Sequence, residues 1–552
     1  MYLSRCKQRS GNHCIVLVEG YRDKKTGKVK HRVIKSMGVE EQLIKENNDP
    51  NIFEHLKEAQ RNSQAAKRIT ITLDTGKPNS KEEDFLTYSH AWIEKYYNML
   101  GLEDCMDKIQ SKTKKLFNLN DVLKTLVIGR CFTPDSKKAT CEEQVRFYNL
   151  PKIDLNGVYR SLDVLAEQKE NILNCIQEHV QGRDTSVIYY DVTNFWFEAD
   201  PDGFRERGCS KENRPNPIVQ MGLFIDNNGL PVDYQLFEGN MPDCSTLVPA
   251  FEEVKQKYHS DKIIITADKG LNSGHNIHYI LDQGNGYIVS QSVRRSSQEF
   301  KDRVLDQEGY TTNPDGSFKV KEFIQEREIK GSNGTVRTIK EKVVCFWSQK
   351  YQIKESSERD ALLEDVQRMV NNPSLYKQSN HKGLKKYILD PTKPDLRLNT
   401  KKIEEDYALD GYYTIITSEL DLSAGSIIEK YRGLWRIEES FRVLKTDLEG
   451  RPVYVRTRAH IEAHFLICFI ALLIMRMMEK ALKRKYSVSA LREGLKLGQC
   501  AKVDSAIYQI RCKSNVIRDL EARYRVKFDV SYATPNMLAG YAREVTRAVT
   551  TK

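Results

Sequence analysis

The chain has 552 residues, 39% hydrophobic and 30% charged, with a formal net charge of +11. That length and apolar content allow several packed domains and exclude both a small disulfide scaffold and a disordered tail protein. Twelve cysteines are scattered without a C-x-x-C or a zinc-ligand spacing, which predicts reduced, mostly buried thiols and a cytosolic, hence cytoplasmic, protein.

The opening residues Met1 to Arg9 lack the apolar run of a signal peptide, so export is not expected. Residues 13–36 hold two β-forming runs around Lys24-Lys25-Thr26-Gly27-Lys28, the pattern of a hairpin with Gly at its turn. Seven Lys or Arg between Arg22 and Lys35 suit a phosphate backbone, although exposed edges also carry Lys simply for protection. A polar stretch near Thr75 to Glu83 separates this region, 1–80, from 81–184, where helical periodicity dominates. There Tyr88, Trp92, Tyr96 and Leu100 share one face.

The pattern changes at 185–294. Ser186 to Thr193 is a continuous β-forming run with Asp191 inside it, as in a central strand. Pro217 to Asp226 and Leu230 to Phe237 form an antiparallel pair around Asn227-Asn228-Gly229. A helix over Thr246 to Tyr258 then leads to a second buried strand, Lys262 to Asp268. Strand, hairpin, helix and strand together predict an α/β core. Residues 295–410 read as an inserted β-rich subdomain, with strands at Phe318 to Ile329 and Val336 to Trp347 and a helix at Glu355 to Asn371. The core resumes over 411–485, first as a strand at Gly411 to Thr417 and then as helices. The apolar run Phe465 to Met478 is interrupted by Arg476 and falls short of the roughly 20 residues that span a bilayer, so it predicts a buried helix and no membrane partner.

The final region, 486–552, reads as basic and helical. From Arg451 to Lys552 there are 20 Lys and Arg against 8 Asp and Glu, so residues 1–450 are close to neutral. Such a block commonly meets a polyanion, nucleic acid first among them, while a solvated helical face is the plain alternative.

Three carboxylates stand out. Asp191 lies in an apolar strand, where an ionised group is costly unless a cation answers it. Asp268 ends a second apolar strand. A pair of acids on neighbouring strands suits Mg²⁺, which takes a few carboxylate oxygens plus waters and phosphate; capping a turn or pairing with Lys269 is the alternative for either one alone. In Ile427 to Lys445 a helical rotation of about 100° per residue places Leu434, Ile437, Phe441 and Leu444 on one stripe. Tyr431, Trp435, Glu438, Arg442 and Lys445 fall on another, a grouping that suits something anionic and flat. Glu439 lies further round the helix than Glu438 and away from Lys445.

Taken in order, YYDVTNF, TADKG and YRGLWRIEESFRVLK resemble the three catalytic blocks of insertion-sequence DDE transposases with a Tyr-Arg-Glu-Lys signature. The resemblance covers most of residues 185 to 475, including Gly208-Cys-Ser210-Lys211-Glu-Asn-Arg214-Pro215 and Glu238-Gly239-Asn240. It implies an RNase H-like catalytic core carrying a β-rich insertion between its second and third acids. It makes Asp191, Asp268 and Glu438 the catalytic, metal-binding triad for two Mg²⁺ or Mn²⁺ ions. Tyr431 and Lys445 would contact DNA phosphates, and Trp435 would stack on an extruded base. The signature's spacing puts its arginine at position 434, where this chain has Leu434; Arg432 and Arg436 are the candidates to replace it, and Arg442 joins the DNA-facing set. The implied partners are double-stranded DNA, both the element's terminal inverted repeats and its target, and a second copy of the chain in a synaptic complex. The implied activity is cut-and-paste transposition, with hairpin ends as one route. A metal-dependent nuclease without strand transfer and a non-catalytic DNA-binding derivative are the rival readings.

Overall fold

The computed structural model describes the chain apart from residues 1, 8–10, 23–28, 48, 58–84, 114–116, 213, 258–261, 332–333, 373–381, 390–395, 505–506 and 549–552. The expected turn at Lys24 to Lys28 and the polar stretch at Thr75 to Glu83 lie outside the described residues. The chain forms two compact units, Met1–Ser80 and Lys81–Lys552.

In the first unit β1 (Tyr2–Lys7), β2 (His13–Arg22) and β3 (Val29–Val39) make an antiparallel sheet with β2 central, followed by α1 (Glu40–Asn47). The expected hairpin is therefore two strands of three. Its small core joins Leu3 and Ile15 to Ile52 and Phe53.

The second unit opens with β4 (Phe85–Thr87) and six helices: α2 (Ala91–Met99), α3 (Leu102–Ser111), α4 (Leu119–Phe132), α5 (Lys137–Glu143), α6 (Leu155–Glu167) and α7 (Lys169–His179). Then come β5 (Val187–Trp196), the hairpin β6 (Ile218–Asp226) and β7 (Pro231–Glu238), α8 (Leu247–Lys257), β8 (Ile264–Ala267), α9 (Gly274–Asp282), β9 (Gly286–Gln291) and α10 (Gln298–Leu305). Gly229 closes the hairpin at φ +80°, a left-handed conformation that favours glycine. Strands β7-β6-β5-β8-β9 lie side by side, with β5, β8 and β9 parallel and β6 antiparallel to its neighbours. Parallel neighbours need crossovers, which α8 and α9 supply. One face of this sheet packs on α8 and α9, and the other on helices that follow the insertion. Burial on both faces is why β5 and β6 read as unbroken apolar runs.

The insertion comprises β10 (Thr311–Thr312), β11 (Phe318–Lys330), β12 (Val336–Ser348), α11 (Gln349–Asn371), α12 (Lys382–Lys385), β13 (Ile388–Leu389), β14 (Arg397–Leu398) and α13 (Thr400–Ala408). Its long strands do not form a separate sheet. Val343↔Ile416 and neighbouring pairs join β12 to β15 (Tyr412–Thr417), and β15 pairs with β9, so the core sheet runs through nine strands. Alternation within each strand was visible in the sequence, whereas the pairing that fuses insertion and core is non-local.

After β15 come α14 (Ala424–Arg432), α15 (Trp435–Arg442), a π turn at Val443–Asp447, α16 (Arg458–Ala481) and α17 (Val488–Lys496). Ser423, Thr457 and Ser487 cap the starts of α14, α16 and α17 by accepting a backbone N–H three residues on. Among the described residues α16 is the one helix long and apolar enough to cross a membrane, and most of it is buried in the protein core. The C-terminal region is not wholly helical. It contains β16 (Gln499–Asp504), β17 (Ile507–Ile510), α18 (Asn515–Tyr524), β18 (Tyr532–Ala533) and α19 (Pro535–Arg547). Gln499↔Thr87 pairs β16 with β4, while Trp92 donates to the Tyr541 hydroxyl at 3.0 Å and the Tyr96 and Tyr524 hydroxyls lie 2.8 Å apart. The two ends of this unit therefore pack as one body.

Candidate active site

Asp191 and Asp268 share one face of the sheet, and Glu438 lies on the helix packed over β5. In the parallel pairing of β5 with β8, Val187 faces Ile264 and Tyr189 faces Thr266, an offset that also separates Asp191 from Asp268. Residues in register on parallel strands point the same way. Asp268 follows the last paired residue with extended backbone, φ −76° and ψ 168°, so the alternation carries through to it. Tyr189 and Phe195, on the same side of β5 as Asp191, pack with Ile437 and Phe441 of α15. Glu438, between those two residues in sequence, is the exposed acid of the first turn of α15.

The electrostatics agree with that placement. Burial pushes the Asp191 carboxyl up to about 6; Lys211 and the Val192 amide oppose the shift, and the charges of Asp268 and Glu438 add to it. Asp268 accepts from the Ser290 hydroxyl at 3.1 Å and the Tyr431 hydroxyl at 3.4 Å. Burial first, then the nearby charges of Asp268 and Glu438, raises the Tyr431 hydroxyl, which stays protonated as a donor. Lys445 is lowered to about 8 by burial and by the neighbouring Lys211, with Asp191 acting the other way. Among the described residues no three His, Cys, Asp or Glu side chains are gathered closely enough to enclose a metal ion. The donor set nevertheless fits a hard cation in chemistry. Three carboxylates repel one another across a partly buried face, and an oxygen-seeking divalent ion would offset that repulsion.

Sequence periodicity sorted the helix faces well. Leu434, Ile437, Phe441 and Leu444 are all buried, whereas Trp435 is 48% exposed and Glu438 and Arg442 are also exposed. The straight helix assumed from 431 to 445 is not present. Carbonyls of Lys430, Tyr431, Gly433 and Leu434 each accept from the N–H three residues on, a tight turn that separates α14 from α15. The turn sits on β5: a Cβ at Gly433 would overlap the buried Tyr189 ring and hydroxyl. We expect Gly433→Ala to cost about 1–3 kcal/mol through overpacking, read as a lower midpoint in chemical unfolding. An unchanged midpoint would show that Tyr189 yields freely.

The expected DNA-facing residues divide. The Tyr431 hydroxyl lies 3.4 Å from Asp268 and Lys445 feels the charge of Asp191, while Trp435 and Arg432 are exposed. Arg436 instead donates to the Asn227 carbonyl at 2.6 Å, fastening α15 to the β6–β7 turn. Arg442 faces Asp447 at 3.4 Å and Glu439 at 3.8 Å. Leu434 belongs to the hydrophobic core, so neither its side chain nor the engaged Arg436 offers a free guanidinium. Glu439 lies 3.4 Å from the buried Arg476 of α16, which makes it a structural ion-pair residue.

Sequence reasoning missed the basic partners contributed by the loop between β5 and β6. Lys211 hydrogen-bonds the Val192 carbonyl beside Asp191, and Glu212 lies 3.4 Å from Lys445 while also pairing with Arg451. The Gly208 to Pro215 stretch was the available signal. The stretch packs closely against the end of β7 through Gly208, where a Cβ would overlap the Gly239 carbonyl.

Strands β7-β6-β5-β8-β9 have the order of an RNase H-like core, with Asp191 on β5, Asp268 directly after β8 and Glu438 on α15. A family model described as the transposase DDE domain matches residues 183–474, and one described as the IS1634 family transposase N-terminal domain matches residues 5–68. The chain belongs to the insertion-sequence DDE transposases. No curated protein sequence matches it closely.

Proposed function

We propose that this transposase cleaves and joins the ends of its element through Asp191, Asp268 and Glu438. The observation that carries the reading is the shared register of Asp191 and Asp268 on the sheet face beneath α15, with Glu438 close enough to raise the proton affinity of Asp191. Two Mg²⁺ or Mn²⁺ ions held by these carboxylates would supply Lewis-acid activation of the attacking oxygen and stabilisation of the leaving oxygen. The chain's own residues do the positioning. Ser290 and the protonated Tyr431 hydroxyl orient the Asp268 carboxylate. Lys211 and Lys445 set positive charge beside Asp191, where a DNA phosphate would approach. Exposed Trp435 offers a ring to a displaced base, and exposed Arg432, at the end of α14, a cation beside it in the chain. Tyr431, Glu438 and Lys445 occupy their places in the Tyr-Arg-Glu-Lys signature, and a second copy of the chain would complete the paired-end complex.

The test is incubation of a duplex carrying the element's terminal repeat with the protein, Mg²⁺ and a supercoiled target plasmid. End cleavage followed by joining of the free 3′ end to the plasmid is expected. Cut ends that never join would identify a nuclease, and DNA binding with neither product a non-catalytic derivative. In the same assay Trp435→Ala should slow the strand-distorting step more than first nicking, because base stacking contributes about 1–3 kcal/mol. Equal slowing of both steps would remove the ring from that role.

Nucleic-acid contact by the C-terminal region is a second part of the proposal. Arg492 and Lys513 are committed internally: Arg492 donates to the Cys131 carbonyl, and Lys513 lies 2.8 Å from Asp529. Arg518, Arg523 and Lys527 are exposed. Changing those three to Gln should weaken duplex binding irrespective of sequence and flatten its salt dependence, by about 0.9 in slope for each phosphate no longer neutralised. Unchanged affinity and slope in a folded variant would mark them as solvated surface.

A further inference from the structure

Away from the three acids, the helical part of the second unit contains a polar cavity of about 150 Å³ between α4, α5, α6, α16 and the loop before α16. Three basic side chains reach it from buried positions: Arg130, Lys137 and His464, each 4% exposed. Arg130 donates to the backbone carbonyls of Asp135, Leu448 and Glu449 at 3.0–3.2 Å. The Lys137 ammonium lies 3.4 Å from Nδ1 of His464. Nε2 of His464 lies 3.1 Å from the Gly450 carbonyl, which can only accept; Nε2 therefore carries the proton and Nδ1 offers its lone pair to Lys137. Burial and the charges of Lys137 and Arg130 hold His464 well below its ordinary value, in agreement with a neutral ring.

Among the described residues neither Arg130 nor Lys137 has a carboxylate partner. The two acids at the cavity, Asp135 and Glu449, are exposed at its rim, and the Asp135 carboxylate accepts from the Ser136 amide. Among the described residues the buried Lys137 ammonium meets only a neutral imidazole, an expensive arrangement for stability alone. Exposed Tyr454 and half-exposed Tyr159 stand at the mouth. Arg451 also lines the cavity and pairs with Glu212, the carboxylate that faces Lys445. Through Arg451 and Glu212 the cavity is thus linked to Lys445 of the candidate active site.

We propose that this cavity receives a phosphate group, with Lys137 and Arg130 as its buried cationic floor and Arg451 at its edge, and that the group belongs to the DNA backbone. The choice of DNA as the source rests on the transposase reading; the affinity for phosphate does not. A phosphate offers several acceptor oxygens to the ammonium and guanidinium that now lack an anion, and its size suits the volume. Burial and the nearby Arg130 lower Lys137 to about 7, so an arriving anion would also favour its charged form. Released from Glu212 by a bound phosphate, Arg451 would leave that carboxylate to Lys445 and Arg214.

Lys137→Met tests this because it keeps the length of the side chain and removes the charge. The variant should unfold at a higher temperature than the parent, while duplex affinity falls several-fold and the salt slope of binding drops by about 1. Inorganic phosphate, at ionic strength matched with chloride, should raise the thermal midpoint of the parent and leave that of the variant unmoved. A phosphate-dependent midpoint with unchanged DNA affinity in Lys137→Met would overturn the DNA source, since the cavity would then take free phosphate only. No phosphate response in the parent protein overturns the site itself, whether or not the variant folds. Neither measurement uses cleavage activity, so failure of the triad assignment and failure of this cavity remain distinguishable.

Discussion

Asp191→Asn, Asp268→Asn and Glu438→Gln should each reduce metal-dependent end cleavage on the order of 10³-fold or more, while duplex binding persists. The effect is large because the carboxylates act as a unit, and losing one removes the charge that would hold the ions in place. Glu439→Gln is the matched control and should cleave at close to the parent rate; Gln is chosen over Ala because Glu439 faces the buried Arg476. Cleavage retained by any triad variant would remove that residue from the mechanism. Asp191→Asn carries a second expected signature. Its carboxyl is raised from 3.8 to about 6 in the fold, so the native state holds a proton that the unfolded chain has lost. Stability therefore falls as pH rises between those values and stays reduced above them, by up to about 3 kcal/mol. Metal-free Asp191→Asn should thus be more stable than the parent at pH 7, less whatever attraction to Lys211 is removed, and its stability should vary less between pH 4 and 6. A variant that is equally stable and equally pH-dependent would show that Asp191 carries no such cost.

Leu434→Arg should destabilise the protein rather than supply the signature arginine. Leu434 is 8% exposed, lies in the same apolar cluster as Ile437 and Phe441, and occupies the tight turn between α14 and α15. Replacing it with a charged side chain removes core packing worth about 2–5 kcal/mol and strands a cation without a partner. The measurement is the unfolding midpoint, followed by the rate of hairpin resolution in whatever folded fraction remains. Normal stability with faster resolution would place position 434 at the active site. Because Arg436 is tied to the Asn227 carbonyl, exposed Arg432 is the better candidate for the missing guanidinium.

Local chemistry made much of this protein legible. Apolar runs marked β5 and β8, alternation marked β11 and β12, and Asn-Asn-Gly marked the β6–β7 turn, because each signal arises within a few neighbouring residues. The 3.6-residue period separated Leu434, Ile437, Phe441 and Leu444 from Trp435, Glu438 and Arg442, so the helix face carrying Glu438 could be assigned before its partners were known. Even α16 could be read as a core helix, since Arg476 interrupts its apolar run.

Tertiary structure decided what depends on the meeting of distant segments. No local pattern shows that β12 pairs with β15 and merges insertion with core, or that β4 recruits β16 into a sheet within a region that reads as helical. The break at Gly433 follows from the fit of the turn over Tyr189, which belongs to a strand far away in the sequence. Lys211 as the counter-charge to Asp191, Glu212 between Lys445 and Arg451, and the buried Lys137 beside His464 have the same origin. The sequence by itself determined which residues are acidic, basic or apolar and on which face of an element each lies. Only the fold decided which charges meet and which remain unanswered, because the cost of a charge is set by its surroundings rather than by its neighbours in the chain.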